Sequence, residues 1–211
     1  MQRSIDYGLA DPRFLWKDAR MRREFGADAG PLHVVLLSGG IDSAAALALT
    51  LEGHSPASVL FVDYGQAAAA SEARASADIA AHYGVGYERV TCAGRTFGDG
   101  EIRGRNALLV HVALITLRTD AGIIVLGIHA GTAYRDCTPA FVDLMQGSYD
   151  FHTGGQVSLA APFLSQVKGD VVNLALRLGV PTDLTYSCEV ANQPCGSCLS
   201  CRDRKELLAR T

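Results

Sequence analysis

Ser38, Gly39, Gly40, Asp42 and Ser43 stand together between a β-forming run, His33-Val34-Val35, and an alanine-rich stretch, Ala44-Ala45-Ala46-Leu47-Ala48-Leu49-Thr50. A buried strand, a Ser-Gly-Gly turn and a helix opening on Asp and Ser make an anion site. Small residues let backbone N–H groups approach a ligand, and the helix N-terminus adds about half a positive charge. No Gly-Lys-Ser/Thr follows, so this is not the common phosphate loop. A lone Ser-Gly-Gly turn reads more readily as a strand–turn–helix corner with a Ser or Asp cap. The full run Leu37-Ser38-Gly39-Gly40-Ile41-Asp42-Ser43 favours nucleotide binding.

The second cluster closes the chain. Cys188, Cys195, Cys198 and Cys201 follow the spacing C-x6-C-x2-C-x2-C, and Gly196 allows the tight turn between Cys195 and Cys198. Four thiolates complete a tetrahedral Zn²⁺ shell with no open position, which predicts a structural metal rather than a catalytic one. An iron–sulfur cluster is the metal alternative, and free thiols in a loop are the non-metal one.

The elements that must position these groups alternate regularly. His33–Leu37, Ala57–Asp63, Tyr87–Cys92, Ile123–Ile128 and Val157–Pro162 read as strands. Between and after them, Ala44–Thr50, Ala67–Tyr83, Ala107–Leu117, Ala140–Gly147 and Lys168–Leu178 read as helices, with Gly84 and Gly179 as stops. Continuous apolar strands separated by helices predict a doubly wound, mostly parallel α/β sheet. Ligands bind such sheets at the carboxyl ends of the strands, where Ser38 and Asp63 fall. Gly104-Arg105-Asn106 enters a helix and offers a second anion or purine contact, although Asn106 alone reads as an N-cap. A last helix, Arg202–Ala209, is expected to pack back on the domain. Before the first strand, Pro12–Phe25 has an imperfect apolar stripe from Phe14, Leu15, Met21 and Phe25. Its arginines are read as a solvated face in preference to a polyanion site.

Composition narrows the classes. The 211 residues suffice for one α/β domain, and 48% hydrophobic with 19% charged residues describe an ordinary globular protein. A net charge of −3 gives no global case for nucleic-acid binding. No apolar run approaches the roughly 20 residues that span a bilayer, and the N-terminus lacks the apolar core of a signal peptide. A cytoplasmic protein is therefore expected, and in that compartment clustered cysteines favour metal over disulfides.

The run Leu37–Ser43 resembles the pyrophosphate loop of the ATP-pyrophosphatase superfamily. The chain from about His33 to Leu208 resembles the 7-cyano-7-deazaguanine synthase (QueC) family. The family's LSGGxDS stands as Leu37–Ser43, its DYGQ as Asp63-Tyr64-Gly65-Gln66, and its GRN as Gly104-Arg105-Asn106. Its Asp-Cys-x-Pro-x-Phe loop is Asp136-Cys137-Thr138-Pro139-Ala140-Phe141. Its Ser-Cys…Pro-Cys-Gly-x-Cys-x-x-Cys ending runs from Ser187 to Cys201. The resemblance implies an adenine nucleotide alpha hydrolase-like fold. The implied division is an N-terminal extension (1–30), an ATP-binding α/β domain (31–186) and a zinc-binding segment (187–211). It implies ATP-dependent conversion of 7-carboxy-7-deazaguanine, with ammonia, to the nitrile, by a homodimer using Mg²⁺ and structural Zn²⁺.

Residue roles follow from the same resemblance. Leu37, Ser38, Gly39, Gly40, Asp42, Ser43, Asp63 and Tyr64 would bind ATP. Asp42 is suited to orient the loop or to hold Mg²⁺ through oxygen. Lys168 and Arg105 would offset charge as pyrophosphate leaves. Gln66, Asn106, Tyr134, Asp136, Cys137 and Phe141 would contact substrate. Asp136 would accept from the guanine-like donor edge, Tyr134 or Phe141 would stack, and Cys137 is read as a pocket wall in preference to a nucleophile.

Two features depart from the family pattern. Basic residues and a histidine usually follow DYGQ, whereas Ala67-Ala68-Ala69-Ala70 stands here, and the first strand usually lies almost at the chain start. They leave room for a diverged enzyme that passes the activated acyl group to an amine on a protein or nucleic acid. A non-catalytic zinc-containing interaction module is the remaining alternative, against which the intact Ser38, Asp42, Arg105, Asp136 and Lys168 argue.

Overall fold

The computed structural model describes residues 31–92, 94–98 and 102–208. The expected N-terminal helix and the linker after it lie outside these residues.

Five parallel strands form one sheet in the order β3-β2-β1-β4-β5. They are β1 (His33–Leu36), β2 (Ala57–Asp63), β3 (Gly86–Thr91), β4 (Gly122–Leu126) and β5 (Val157–Ala160). The helices are α1 (Ile41–Glu52), α2 (Ala69–Tyr83), α3 (Arg105–Thr116), α4 (Pro139–Thr153), α5 (Lys168–Arg177) and α6 (Leu199–Leu208). The central strand, His33-Val34-Val35-Leu36, is buried throughout, because helices cover both faces of a parallel sheet.

Alternation along each strand sorts the core into two layers. Val35, Val59 and Val125 point to the side of α1, α2 and α5, where Ala44, Ala45, Ala46, Ile79 and Val171 meet them. Val34, Leu36, Leu60, Ile124 and Leu126 point to the side of α3 and α4, against Val110, Ala113, Val142 and Tyr149. The alanines of α1 have a packing reason: their small side chains let the helix lie close to the sheet, and Ala44, Ala45 and Ala46 are wholly buried.

Chain order and space cross between β1 and β4. After β1 the chain builds β2 and β3 on one side, then returns to place β4 on the other. That reversal opens a crevice at the carboxyl ends of β1 and β4, the position where such sheets bind ligands. Gly127, just past β4, makes the crevice tight. A Cβ there would sit 2.9 Å from the Asp42 carbonyl oxygen and 2.9 Å from Ser43 Cα.

Boundaries differ from expectation in physically clear places. Helix α4 runs through Gly147 to Thr153 instead of stopping at Gly147, because Met145 and Tyr149 on either side of the glycine are both buried. Helix α3 starts at Arg105 with Gly104 as N-cap, so Asn106 lies inside its first turn and is not the cap. Helix α2 starts at Ala69 instead of Ala67, because Gln66 pairs with Phe97 in an isolated bridge. Among the described residues no helix is long and apolar enough to cross a membrane.

Candidate active site

The Ser-Gly-Gly loop is held from three sides. Within it, the Ser38 N–H donates to Ser43 Oγ at 3.2 Å, and Ser43 Oγ donates to the Gly40 carbonyl at 2.9 Å. From α2, Ser76 Oγ donates to the Leu37 carbonyl at 2.8 Å. From the segment leading to the cysteines, the Tyr186 N–H donates to the Gly39 carbonyl at 2.8 Å. Gly39 has φ +82°, and a Cβ on it would lie 2.8 Å from Ala75 Cβ and 2.9 Å from the Glu72 carbonyl oxygen. Only glycine fits that turn, and the turn leaves the start of α1 aimed at open space.

That space is a cavity of about 500 Å³. Leu37, Ser38, Gly40, Asp42 and Ser43 form one wall of it, Lys168 of α5 a second, and Tyr64, Gln66, Arg105 and Asn106 a third. Lys168 Nζ donates to Asp42 Oδ2 at 2.6 Å. The other carboxylate oxygen, Asp42 Oδ1, is buried without a partner among the described residues. A carboxylate oxygen left unmatched beside a phosphate-type loop is the donor that a hard divalent cation takes, so Mg²⁺ fits here.

Asp63-Tyr64-Gly65-Gln66 spends most of its polar groups on its own turn. Asp63 Oδ1 accepts from the Gly65 N–H at 3.1 Å, and Asp63 Oδ2 is 2.5 Å from an Arg89 nitrogen. Gln66 Oε1 accepts from the Tyr64 N–H at 2.9 Å, and Gln66 Nε2 donates to Glu72 Oε2 at 2.8 Å. Tyr64 and Gln66 reach the cavity wall, whereas Asp63 and Gly39 shape the wall from behind.

The residues of the Asp-Cys-x-Pro-x-Phe loop are not brought to the cavity wall. Tyr134, Asp136, Cys137 and Phe141 lie around a 3₁₀ turn (Arg135–Cys137) and the start of α4, outside the lining. Asn106 joins them to it: its N–H donates to Asp136 Oδ2 at 3.3 Å, and its Nδ2 donates to the Asp136 carbonyl at 3.1 Å. Burial pushes the Cys137 thiol up, which disfavours the thiolate that a nucleophile needs.

Several wall residues escaped the sequence reading: Glu72, Tyr186, Glu189 and Arg204 all line the cavity. Burial pushes the Glu72 carboxyl up, opposed by its bond from Gln66 and the nearby Arg105 charge. Glu72 is one acid in a run of alanines, and the nearby Asp-Tyr-Gly-Gln turn was its one sequence signal. Tyr186 and Glu189 sit in a stretch without regular structure, where no periodicity could mark them.

The four sulfurs of Cys188, Cys195, Cys198 and Cys201 lie within 4.8 Å of one another. Zn–S bonds of about 2.3 Å in a tetrahedron put sulfurs about 3.8 Å apart, and Cys195 and Cys201 are 3.9 Å apart. Backbone N–H groups point at the sulfurs as thiolates require: Cys195 N to Cys188 Sγ at 3.4 Å, Cys198 N to Cys195 Sγ at 3.3 Å, and Cys201 N to Cys198 Sγ at 3.4 Å. The donor set fits Zn²⁺. The segment is also tied to the main fold, since Ser71 at the start of α2 bonds Asn192 twice, at 3.1 and 2.6 Å. Arg204 of α6 donates to the Thr182 carbonyl at 2.9 Å and to Thr185 Oγ1.

Comparison with known proteins covers both the loop and the cysteines. The family model described as "Queuosine biosynthesis protein QueC" matches residues 32–99 and 92–211. The 7-cyano-7-deazaguanine synthase of Gloeothece citriformis is 32% identical over 209 residues, covering 84% of this chain and 91% of the relative. The enzyme of the same name from a Synechococcus species is 33% identical over 207 residues, covering 83% of this chain and 91% of its own. Among solved structures, NMN synthetase from Francisella tularensis superposes with a TM-score of 0.46 at 16% identity, covering 76% of this chain and 67% of its own. With the family match spanning the nucleotide loop, the Asp136 loop and the four-thiolate site in one chain, the protein belongs to the QueC family.

Proposed function

We propose that the protein uses ATP to activate the carboxylate of 7-carboxy-7-deazaguanine and, with ammonia, converts it to 7-cyano-7-deazaguanine. The observation that carries this is one cavity shared by the Ser38–Ser43 anion loop, the Lys168–Asp42 pair and Arg105. A substrate carboxylate oxygen attacks the α-phosphorus of ATP and pyrophosphate leaves. Ammonia displaces AMP from the acyl carbon, loses a proton and leaves an amide. A second ATP adenylates the amide oxygen, and AMP departs with that oxygen as the nitrogen loses its remaining protons.

Ser38, Gly40 and Ser43 offer N–H and hydroxyl donors to the departing pyrophosphate, with the dipole of α1 behind them. Lys168 and Arg105 supply fixed positive charge as that leaving group forms. Mg²⁺ would be held at Asp42 Oδ1 and would supply charge neutralisation to the phosphates. Asn106 fixes the start of α3 against the Asp136 loop and so keeps Arg105 in place. Zn²⁺ on the four cysteines is structural. We read the protein as cytoplasmic and, on the family resemblance, as a homodimer.

The test is incubation with the acid, ATP, Mg²⁺ and ammonia, following pyrophosphate release and nitrile mass. Nitrile formation dependent on both ATP and ammonia is expected. Pyrophosphate release with a macromolecular adduct and no nitrile would replace ammonia with another amine as acceptor. No pyrophosphate release with this acid would overturn the reading.

A further inference from the structure

We propose that Glu72 is the side chain that reads the donor edge of the base, a role that rests on the deazaguanine reading above. A guanine-like ring presents a ring N–H and an exocyclic amine side by side. Two adjacent donors call for a partner that only accepts, and an ionised carboxylate is that partner. The cavity therefore needs a carboxylate with a free oxygen facing it.

The lining carboxylates can be sorted by what already occupies them. Asp42 is paired with Lys168 at 2.6 Å. Glu189 Oε1 accepts from Ser200 Oγ at 2.5 Å. Asp203 and Glu206 ride on α6, and Glu206 is exposed. Asp136, the acid of the Asp-Cys-x-Pro-x-Phe loop, lies outside the lining and accepts from the Asn106 N–H. Asp42 keeps its free Oδ1 beside the phosphate-type loop, whereas Glu72 is the lining carboxylate that a side-chain amide braces on the wall shared by Tyr64, Gln66 and Arg105. Its Oε2 is fixed by Gln66 Nε2 at 2.8 Å, which sets the plane of the carboxylate, and no described residue engages Oε1.

Its surroundings suit a base. Tyr64 and Gln66 share the wall with it. Burial pushes its carboxyl up, and the bond from Gln66 and the Arg105 charge oppose that push. Gln66 itself is fully used, with Oε1 on Tyr64 N and Nε2 on Glu72, so it acts as the brace and Glu72 as the contact. A site of this kind discriminates by what it leaves unpaired: a ring without the amine strands a buried acceptor, and the mismatch is costly.

The experiment compares 7-carboxy-7-deazaguanine with the analogue lacking its 2-amino group, by KM and by equilibrium binding, in the wild-type holoenzyme, Glu72→Gln and Glu72→Asp. The wild type is expected to prefer the amino compound by at least about tenfold. In Glu72→Gln the amide oxygen can keep the bond from Gln66 while the NH₂ meets the base's donors. The preference should fall to about unity with KM for ATP unchanged. Glu72→Asp retains two acceptor oxygens and should keep the preference with weaker binding. A Glu72→Gln enzyme that keeps the wild-type preference overturns the assignment alone, as does a Glu72→Asp enzyme that loses it while binding ATP normally. Wild-type protein that binds neither compound overturns the deazaguanine reading and this role with it.

Discussion

Lys168 and Asp42 come from helices far apart in the chain, and their 2.6 Å contact lies directly in front of the Ser38–Ser43 loop. Truncating the lysine removes a fixed cation where pyrophosphate charge develops and leaves the Asp42 carboxylate unmatched beside it. We expect Lys168→Ala to lower turnover by about 10²–10³-fold while the far-ultraviolet circular dichroism stays native. An unchanged kcat would remove Lys168 from the chemistry. His33 makes a separate test of stability. It is buried at the start of β1 with Nδ1 2.8 Å from the Pro31 carbonyl, and burial pushes its pKa below the ordinary 6.5. The unfolded chain therefore takes up the proton first as pH falls. The contribution is complete above 6.5, and it is lost as pH drops from there towards the lower folded value. Urea midpoints of the wild type should fall over that window more steeply than those of His33→Gln, and parallel profiles would contradict the burial argument. Residues with a fixed local geometry, such as Ser38, Asp42 and the cysteines, were legible because a turn or a metal dictates their spacing. Glu72 was not, since its meaning comes from Gln66 and Arg105 folded around it.

Among elements, the Ser-Gly-Gly loop depends on α2 and on the cysteine segment as much as on β1. Gly39 has φ +82° and Ala75 Cβ 2.8 Å from its own Cβ position, so Gly39→Ala strains the backbone and pushes against α2 together. Affinity for a non-hydrolysable ATP analogue should fall by about tenfold or more at a stability cost of about 1–3 kcal/mol, read by calorimetry and thermal melting. Metal removal acts on the same loop from the other side. Tyr186 bonds Gly39, Asn192 bonds Ser71, and Arg204 bonds Thr182 and Thr185, so the cysteine segment forms part of the cavity wall. Native mass spectrometry should find one zinc per chain. Stripping it, or Cys198→Ser, should lower the melting temperature and weaken ATP-analogue binding together. Full affinity after stripping would separate the metal from the loop, and iron with sulfide would replace zinc. The alternation of strands and helices was readable because buried parallel strands are continuous apolar runs. The clamp was not readable, because Ser71 and Asn192 are 121 positions apart and neither belongs to a motif.

At the scale of the molecule, the face built by α3 and α4 carries more apolar surface than a covered core explains. Phe151 and Ile115 are 83% and 81% exposed, and Leu144 and Leu108 are 68% and 42% exposed. They form two stripes at i, i+7, Leu108 with Ile115 and Leu144 with Phe151. His111 between the first pair sits 3.0 Å from Ser148 between the second. The stripes therefore flank one helix–helix seam. A second copy turned about a two-fold axis would set this face against itself, as isologous dimers do. Charge placed in such a seam is buried on association and has no partner, because the same face meets it. Wild-type protein should sediment at twice the 22.4 kDa chain mass. Phe151→Glu should weaken self-association by about 30-fold or more and leave ATP-analogue affinity unchanged, since the cavity lies at the carboxyl ends of β1 and β4 and Phe151 does not line it. A wild-type monomer, or a Phe151→Glu dimer of undiminished affinity, would show that this face is not where copies meet.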